Sequence, residues 1–179
     1  MTAKQMKYEN AAHEEFREGI QRMAKAVGIT MGPAGRNVVV QKSYGGPVVT
    51  KDGVSVAKEI EFPEAFQNMG AKMVQQVAKK TADIAGDGTT SATILADAIF
   101  RNGLRHVTIG ANPVTVQRGI TAAAKVATDA VNTMSKECSG KDDLQKVALV
   151  SSNHDKIIGN IIAEAINKVG GDGVVEVEE

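Results

Sequence analysis

The sequence is poor in cysteine and in aromatic residues. It has one cysteine, Cys138, no tryptophan, and 3% aromatic residues over 179 positions. A single cysteine excludes an intramolecular disulfide, and no Cys-x-x-Cys motif or histidine–cysteine cluster is available for a zinc site. A core with few aromatics has to be built from Ala, Val, Ile and Met, which favours closely packed helices over a sandwich of strands.

An excess of charge of either sign is also missing. Lys plus Arg number 21 and Asp plus Glu number 21, so the formal net charge is zero, which argues against a nucleic-acid partner or a membrane surface. No stretch approaches about 18 continuous apolar residues, and the first residues lack the apolar core of a signal peptide. We therefore expect an unprocessed, cytoplasmic protein whose length suits one domain or slightly more.

Apolar residues spaced three and four apart predict a mainly helical chain. Asn10 is the expected cap of the first helix, Gly28 and Gly86 are expected helix ends, and Asn112 before Pro113 is an expected helix start. The predicted helices cover residues 10–27, 54–59, 64–84, 88–110, 113–134, 142–150 and 155–169. A β-hairpin is predicted over 37–50, a turn over 170–173 and a terminal strand over 174–178.

The same spacing predicts which side of each long helix is buried. Three helices show a clear apolar stripe, and the last of the three resembles a seam for a neighbouring helix. The predicted inward residues are Phe66, Met69, Gly70, Met73, Val74 and Val77 over 64–84, then Ile94, Leu95, Ala98 and Ile99 over 88–110, and Val116, Ile120, Ala123, Ala127, Ala130 and Met134 over 113–134.

The most informative segment for chemistry is residues 85–91, Ala-Gly-Asp-Gly-Thr-Thr-Ser. Two glycines flank Asp87, and three hydroxyls open a predicted helix, whose first turn has unpaired N–H groups and a partial positive charge. Such a turn can bind phosphate, and Asp87 could hold Mg²⁺ against the phosphate oxygens. The alternative is a tight interhelical turn with a Thr or Ser cap.

Two further segments, residues 30–33 and 51–53, are each typical of a turn when taken alone. The second carries Asp52, which together with Asp87 could orient an attacking water and share a metal ion in phosphoryl transfer. No P-loop and no dinucleotide-binding glycine motif is present. The three histidines are too scattered for a metal site, and Cys138 has no neighbour that would activate it.

Three segments in order resemble one protein family. Residues 30–38 read Thr-Met-Gly-Pro-Ala-Gly-Arg-Asn-Val, residues 50–54 read Thr-Lys-Asp-Gly-Val, and residues 85–93 read Ala-Gly-Asp-Gly-Thr-Thr-Ser-Ala-Thr. This set resembles the N-terminal portion of the group I chaperonin large subunit, the GroEL type. The resemblance implies a multihelical equatorial domain with a β-hairpin over residues 1–134, the start of a small α/β intermediate domain over 135–179, and no apical domain.

The resemblance also implies site residues and cofactors. Asp52 would be catalytic, Asp87 would bind Mg²⁺, and Thr30, Thr90 and the carbonyl of Lys51 would place K⁺. The residues expected to contact ATP are Thr30, Met31, Gly32, Pro33, Lys51, Asp87, Gly88, Thr89, Thr90 and Ser91.

At the level of the whole protein, the resemblance implies an ATP-hydrolysing chaperone subunit that assists protein folding in a sevenfold double ring. The hairpin would join the sheet of a neighbouring subunit. Unfolded clients and a co-chaperonin lid would bind through the absent apical domain, and we expect these 179 residues alone to be inactive as an ATPase. Two alternatives are a non-hydrolysing helical fragment acting in subunit interaction or assembly, and an unrelated small phosphate-binding enzyme.

Overall fold

The computed structural model describes residues 4–42, 44–170 and 173–176 of the chain. They form the predicted helices and one small antiparallel sheet, so the mainly helical fold with a hairpin is confirmed. In chain order the elements are α1 (Glu9–Gly28), β1 (Val38–Val40), β2 (Val48–Thr50), α2 (Gly53–Glu59), α3 (Ala65–Ala85), α4 (Thr89–Thr108), α5 (Pro113–Met134), α6 (Lys141–Ser151) and α7 (Lys156–Val169).

The chain divides into two compact units, Met1–Ala124 and Lys125–Glu179. The division falls inside α5, ten residues before the helix ends at Met134. This division follows from how the residues pack, and it does not define a functional boundary. The expected functional boundary after residue 134 therefore stays a prediction.

The core of the first unit lies where α1, α2 and α3 meet. Met23, Val27 and Val56 are fully buried in it, and the three- and four-residue spacing of the α1 positions places them on one stripe. Each such side chain contributes on the order of 1.5–3 kcal/mol by leaving water. The complete cluster is Ile20, Met23, Val27, Val56, Ala57, Ala71, Val74 and Ala78.

The predicted hairpin is present. β1 and β2 pair antiparallel, with Val39 opposite Val49. These two valines are exposed, whereas their neighbours along each strand are half-buried. The alternation follows from the period of two in a strand.

The predicted buried face of α3 is partly wrong. Phe66, Gly70 and Val74 are buried as expected, but Met69 and Met73 are about half exposed, at 50% and 58%. Their places in the core are taken by small residues, Ala71 and Ala78 among them. α1 approaches α3 closely at a small residue, since a Cβ built at Gly70 would lie 2.5 Å from the carbonyl oxygen of Phe16.

The predicted inward faces of α4 and α5 are also wrong in part. Leu95 and Ile99 of α4 are exposed, and the buried residues of this helix are Thr89 and Thr93 near its start. α5 buries none of its residues, although its apolar seam has the predicted spacing. No helix within the described ranges carries an apolar stretch long enough to cross a membrane.

Two local predictions at the chain ends need correction. α1 begins at Glu9 after Tyr8, so Asn10 lies inside the helix and does not cap it. Of the predicted terminal strand, residues 174–176 form no strand, because no partner strand lies beside them in the described part of the chain. Residues 177–178 of that strand, and 171–172 of the predicted turn before it, lie outside the described residues.

The second unit contains the predicted helix pair α6 and α7. Ala148 of α6 packs in the interior together with Gly159 and Ala163 of α7. Asp155 caps α7, its carboxylate accepting from the N–H groups of Ile157 at 2.8 Å and Ile158 at 3.1 Å. Such a cap satisfies N–H groups that have no partner within the helix.

Candidate functional site

The connection between α3 and α4 opens a helix N-terminus to the surface. Gly86 directly follows α3 and Gly88 directly precedes α4, and both have positive φ, +70° and +79°. No side chain caps α4, so the first N–H groups of the helix have neither an intrahelical partner nor a cap. Their partial positive charge favours an anion at this position.

Thr30, from the loop after α1, lies against the start of α4. Its side chain is buried at 7% exposure, and its hydroxyl donates to the carbonyl of Val27 over 2.7 Å. The same Oγ1 is 3.5 Å from Oγ1 of Thr90. Two segments singled out in the sequence are thus in contact.

The third segment joins them through Gly53, the first residue of α2. Gly53 is buried, and a Cβ built there would lie 2.0 Å from Thr90 Oγ1 and 3.2 Å from Val27 Cγ1. Only glycine therefore fits without displacing the Thr90 hydroxyl. The contact places the start of α2 directly beside the start of α4.

Asp52 is the N-cap of α2. Its Oδ2 accepts from the N–H of Ser55 at 2.8 Å and from the Ser55 hydroxyl at 2.6 Å, while Oδ1 accepts from the N–H of Val54 at 3.4 Å. A carboxylate has about four acceptor positions, so capping leaves acceptor capacity on this exposed side chain. The structural role and the predicted catalytic role of Asp52 are therefore compatible.

The far end of α2 is held by α3. The side-chain amide of Gln75 donates from Nε2 to the carbonyls of Ala57 at 2.7 Å and Ile60 at 3.0 Å. These carbonyls lie at the end of α2, where no further helical N–H groups are available. With Val56 and Ala57 in the core, the helix that carries Asp52 is fixed at both ends.

Asp87 lies in the exposed turn before α4, and its Oδ1 accepts from the N–H of Gly88 at 2.6 Å. Among the described residues, no group of three or more His, Cys, Asp or Glu side chains could hold a metal ion. This donor set does not suit a metal bound by protein alone. It does suit Mg²⁺ held by one or two carboxylates together with phosphate oxygens.

The remaining predicted site residues are placed less tightly. Thr89 and Ser91 lie in the first turn of α4 with Thr90, and Met31, Gly32 and Pro33 lie in the exposed loop after Thr30. In the described structure no hydrogen bond or ion pair of the Lys51 side chain joins this cluster. The expected role of the Lys51 carbonyl stays a prediction. All these ligand roles stay predictions.

Ser55 and Gln75 were not identified from the sequence. For Ser55 a signal exists, because Asp52 is a residue type that caps helices and its carboxylate then binds N–H groups two and three residues further on. For Gln75 none exists, since its contacts are with residues of another helix.

Comparison with known protein families places the chain in one of them. Residues 23–178 match the TCP-1/cpn60 chaperonin family. Because this match covers most of the sequence, the chain belongs to that family.

Solved structures agree with this assignment. A group III chaperonin in the open state matches with a TM-score of 0.74 at 23% identity, over 88% of this chain and 32% of that one. The chaperonin gp146 from the bacteriophage EL 2 (Pseudomonas aeruginosa), in presence of ATP-BeFx, matches with a TM-score of 0.74 at 27% identity, over 90% of this chain and 28% of that one. The chain thus spans about a third of each chaperonin, and the finer group I assignment stays a prediction.

Proposed function

We propose that this chain is the ATP-binding portion of a group I chaperonin subunit. The observation that carries the proposal is the convergence of Thr30, Gly53 and Thr90 at the uncapped start of α4. A turn of purely structural use would not need three separate segments around a free helix N-terminus. The chaperonin solved in presence of ATP-BeFx supports the same ligand.

Phosphate binding follows from the first turn of α4. Its N–H groups and the hydroxyls of Thr89, Thr90 and Ser91 donate to phosphate oxygens, and Gly88 lets them approach the backbone. Asp87 would hold Mg²⁺, which would neutralise phosphate charge. Thr30, Thr90 and the carbonyl of Lys51 would help place K⁺. Thr30, Met31, Gly32 and Pro33 would contact ATP, with Gly32 close to the phosphates.

Hydrolysis is assigned to Asp52. Its carboxylate accepts a hydrogen bond from a water whose oxygen attacks the γ-phosphorus while the bond to the β–γ bridging oxygen breaks. The products are ADP and phosphate, and the surplus proton of the water is released to solvent. Phosphoryl transfer requires mainly positioning and neutralisation of charge. A carboxylate held by the backbone of α2 meets the first requirement.

The activity of the whole protein is proposed on the same basis. We propose a homo-oligomeric chaperonin, a cytoplasmic sevenfold double ring that uses ATP to assist the folding of client proteins. Clients and a co-chaperonin lid are proposed as partners of the whole protein, and the chain spans about a third of the chaperonins it matches.

Calorimetric titration of the purified protein with ATP, in Mg²⁺ and K⁺, tests the nucleotide site. We expect Asp87→Asn to lose tenfold or more in affinity, the equivalent of about 1.4 kcal/mol, because one metal ligand is removed. The matched control is Asp83→Asn, which removes the same charge from an exposed position of α3. Equal affinities in both variants would contradict the metal assignment.

A second candidate function is a non-hydrolysing subunit-interaction module. It is favoured by the exposure of apolar residues along α5, including Val126 at 68% and Val131 at 59%. Binding of nucleotide by neither the native protein nor Asp83→Asn, with helical circular dichroism intact, would support this candidate over the first.

A further inference from the structure

The two carboxylate oxygens of Asp52 have different surroundings. Oδ2 accepts two short hydrogen bonds, both from Ser55, at 2.8 Å from the N–H and 2.6 Å from the hydroxyl. Oδ1 accepts one contact, from the N–H of Val54 at 3.4 Å, which lies beyond the usual range for a good hydrogen bond. Oδ1 is therefore the oxygen with free acceptor capacity.

The hydroxyl of Ser55 gives Oδ2 of Asp52 a second donor beside the backbone N–H. Rotation about the terminal torsion of an Asp side chain is broad, so a cap made only by N–H groups leaves the orientation of the carboxylate plane less restricted. A hydroxyl donor beside the Ser55 N–H gives the oxygen that faces it two donors. That oxygen then accepts two short hydrogen bonds, whereas the other oxygen keeps its capacity to accept one from water.

Ser55 itself is held in place. α2 is fixed at its end by Gln75, whose side-chain amide binds the carbonyls of Ala57 and Ile60. At its start Gly53 lies against Thr90 at the head of α4. The Ser55 hydroxyl is thus carried on a helical turn whose position relative to the candidate phosphate site is set.

We propose that Ser55 is a positioning residue for hydrolysis, holding Oδ2 of Asp52 so that Oδ1 is the oxygen that accepts from the attacking water. Ser55 contacts no reacting atom and acts only through Asp52. The inference rests on the proposed function, since it concerns the hydrolytic role assigned to Asp52.

The first test needs no nucleotide. Ser55→Ala is expected to lower the urea midpoint of unfolding in the native background, because the 2.6 Å hydrogen bond is lost. In an Asp52→Ala background the Ser55 hydroxyl has no carboxylate to bind, so Ser55→Ala should not lower the midpoint further. Equal shifts in both backgrounds would overturn the proposed contact. Ser55→Thr, which keeps the hydroxyl, should restore the midpoint.

The second test is steady-state ATP hydrolysis by the protein in its assembled form. Ser55→Ala should lower kcat by about three- to tenfold, the effect of losing one hydrogen bond, and leave KM unchanged. Ser55→Thr should recover kcat, which a general loss of structure would not allow. In an Asp52→Asn background, where the amide can still cap α2, Ser55→Ala should have no further effect on kcat.

The outcomes distinguish the positioning role of Ser55 from the proposed hydrolytic function on which it rests. If Asp52→Asn slows turnover and Ser55→Ala does not, the positioning role of Ser55 is wrong and the proposed function stands. If the native protein does not hydrolyse ATP, or Asp52→Asn turns over at the native rate, the hydrolytic role of Asp52 is wrong and the inference falls with it.

Discussion

Gly53 is the position where a single methyl group would disturb the candidate site most directly. A Cβ there would lie 2.0 Å from Thr90 Oγ1, so the hydroxyl has to move. We predict that Gly53→Ala lowers the free energy of unfolding by about 1–3 kcal/mol, the usual cost of overpacking, and weakens ATP binding. Urea denaturation and calorimetric titration measure the two effects.

The control for Gly53→Ala is Gly46→Ala in the hairpin loop. A Cβ at Gly46 meets nothing within 4 Å, and a surface change of this kind usually stays within about 0.5 kcal/mol. Adding Thr90→Ala to Gly53→Ala should recover part of the lost stability. An unchanged double variant would show that the Thr90 contact is not the cause.

The sequence indicates individual candidate site residues, but it does not indicate their contacts. Thr30, Asp52 and Asp87 were identified because each lies in a glycine-containing segment of recognisable composition. That Thr30 and Gly53 both contact Thr90 depends on how α1, α2 and α4 pack. Packing between distant segments leaves no local pattern.

Among the helices, α5 depends most on local interactions, because none of its residues is buried. Its start is capped by Asn112, whose Oδ1 accepts from the N–H groups of Val114 at 2.9 Å and Thr115 at 3.2 Å. We predict that Asn112→Ala lowers the free energy of unfolding of α5 by about 1 kcal/mol. Amide hydrogen exchange in the first turns of α5 measures the change.

Asn112→Asp is the matched control for this cap. An aspartate accepts the same two hydrogen bonds and adds a negative charge, which is favourable at a helix N-terminus. Protection in this variant should equal or exceed that of the native protein. If Asn112→Ala leaves exchange unchanged as well, α5 is held by something other than its cap.

At the level of elements, helix limits were more predictable than helix faces. The end of α3 before Gly86 and the start of α5 after Asn112 follow from residues that act locally. The buried face of α3 does not, because apolar residues occur on more than one side of it: Val74 is buried while Met73 is exposed. Periodicity alone cannot choose between two apolar faces when small residues allow the closer approach.

On the scale of the whole molecule, the two compact units differ in the size of their cores. The first unit contains the eight-residue cluster that includes Met23 and Val27. The second buries Ala148, Gly159 and Ala163, all small, so little apolar area leaves water there. We therefore expect the second unit to open at a lower free energy than the first.

Met23→Ala tests whether the two units have separate stabilities. Met23 is fully buried in the first unit, so its truncation should cost about 2–5 kcal/mol and reduce amide protection in α1, α3 and α4. Protection in α6 and α7 should not change. The matched control is Met73→Ala, at a methionine of α3 that is 58% exposed, which should stay within about 0.5 kcal/mol of the native protein. Equal loss of protection in α7 after Met23→Ala would show that the chain unfolds as one unit, and that the small core of α6 and α7 is not the weaker part.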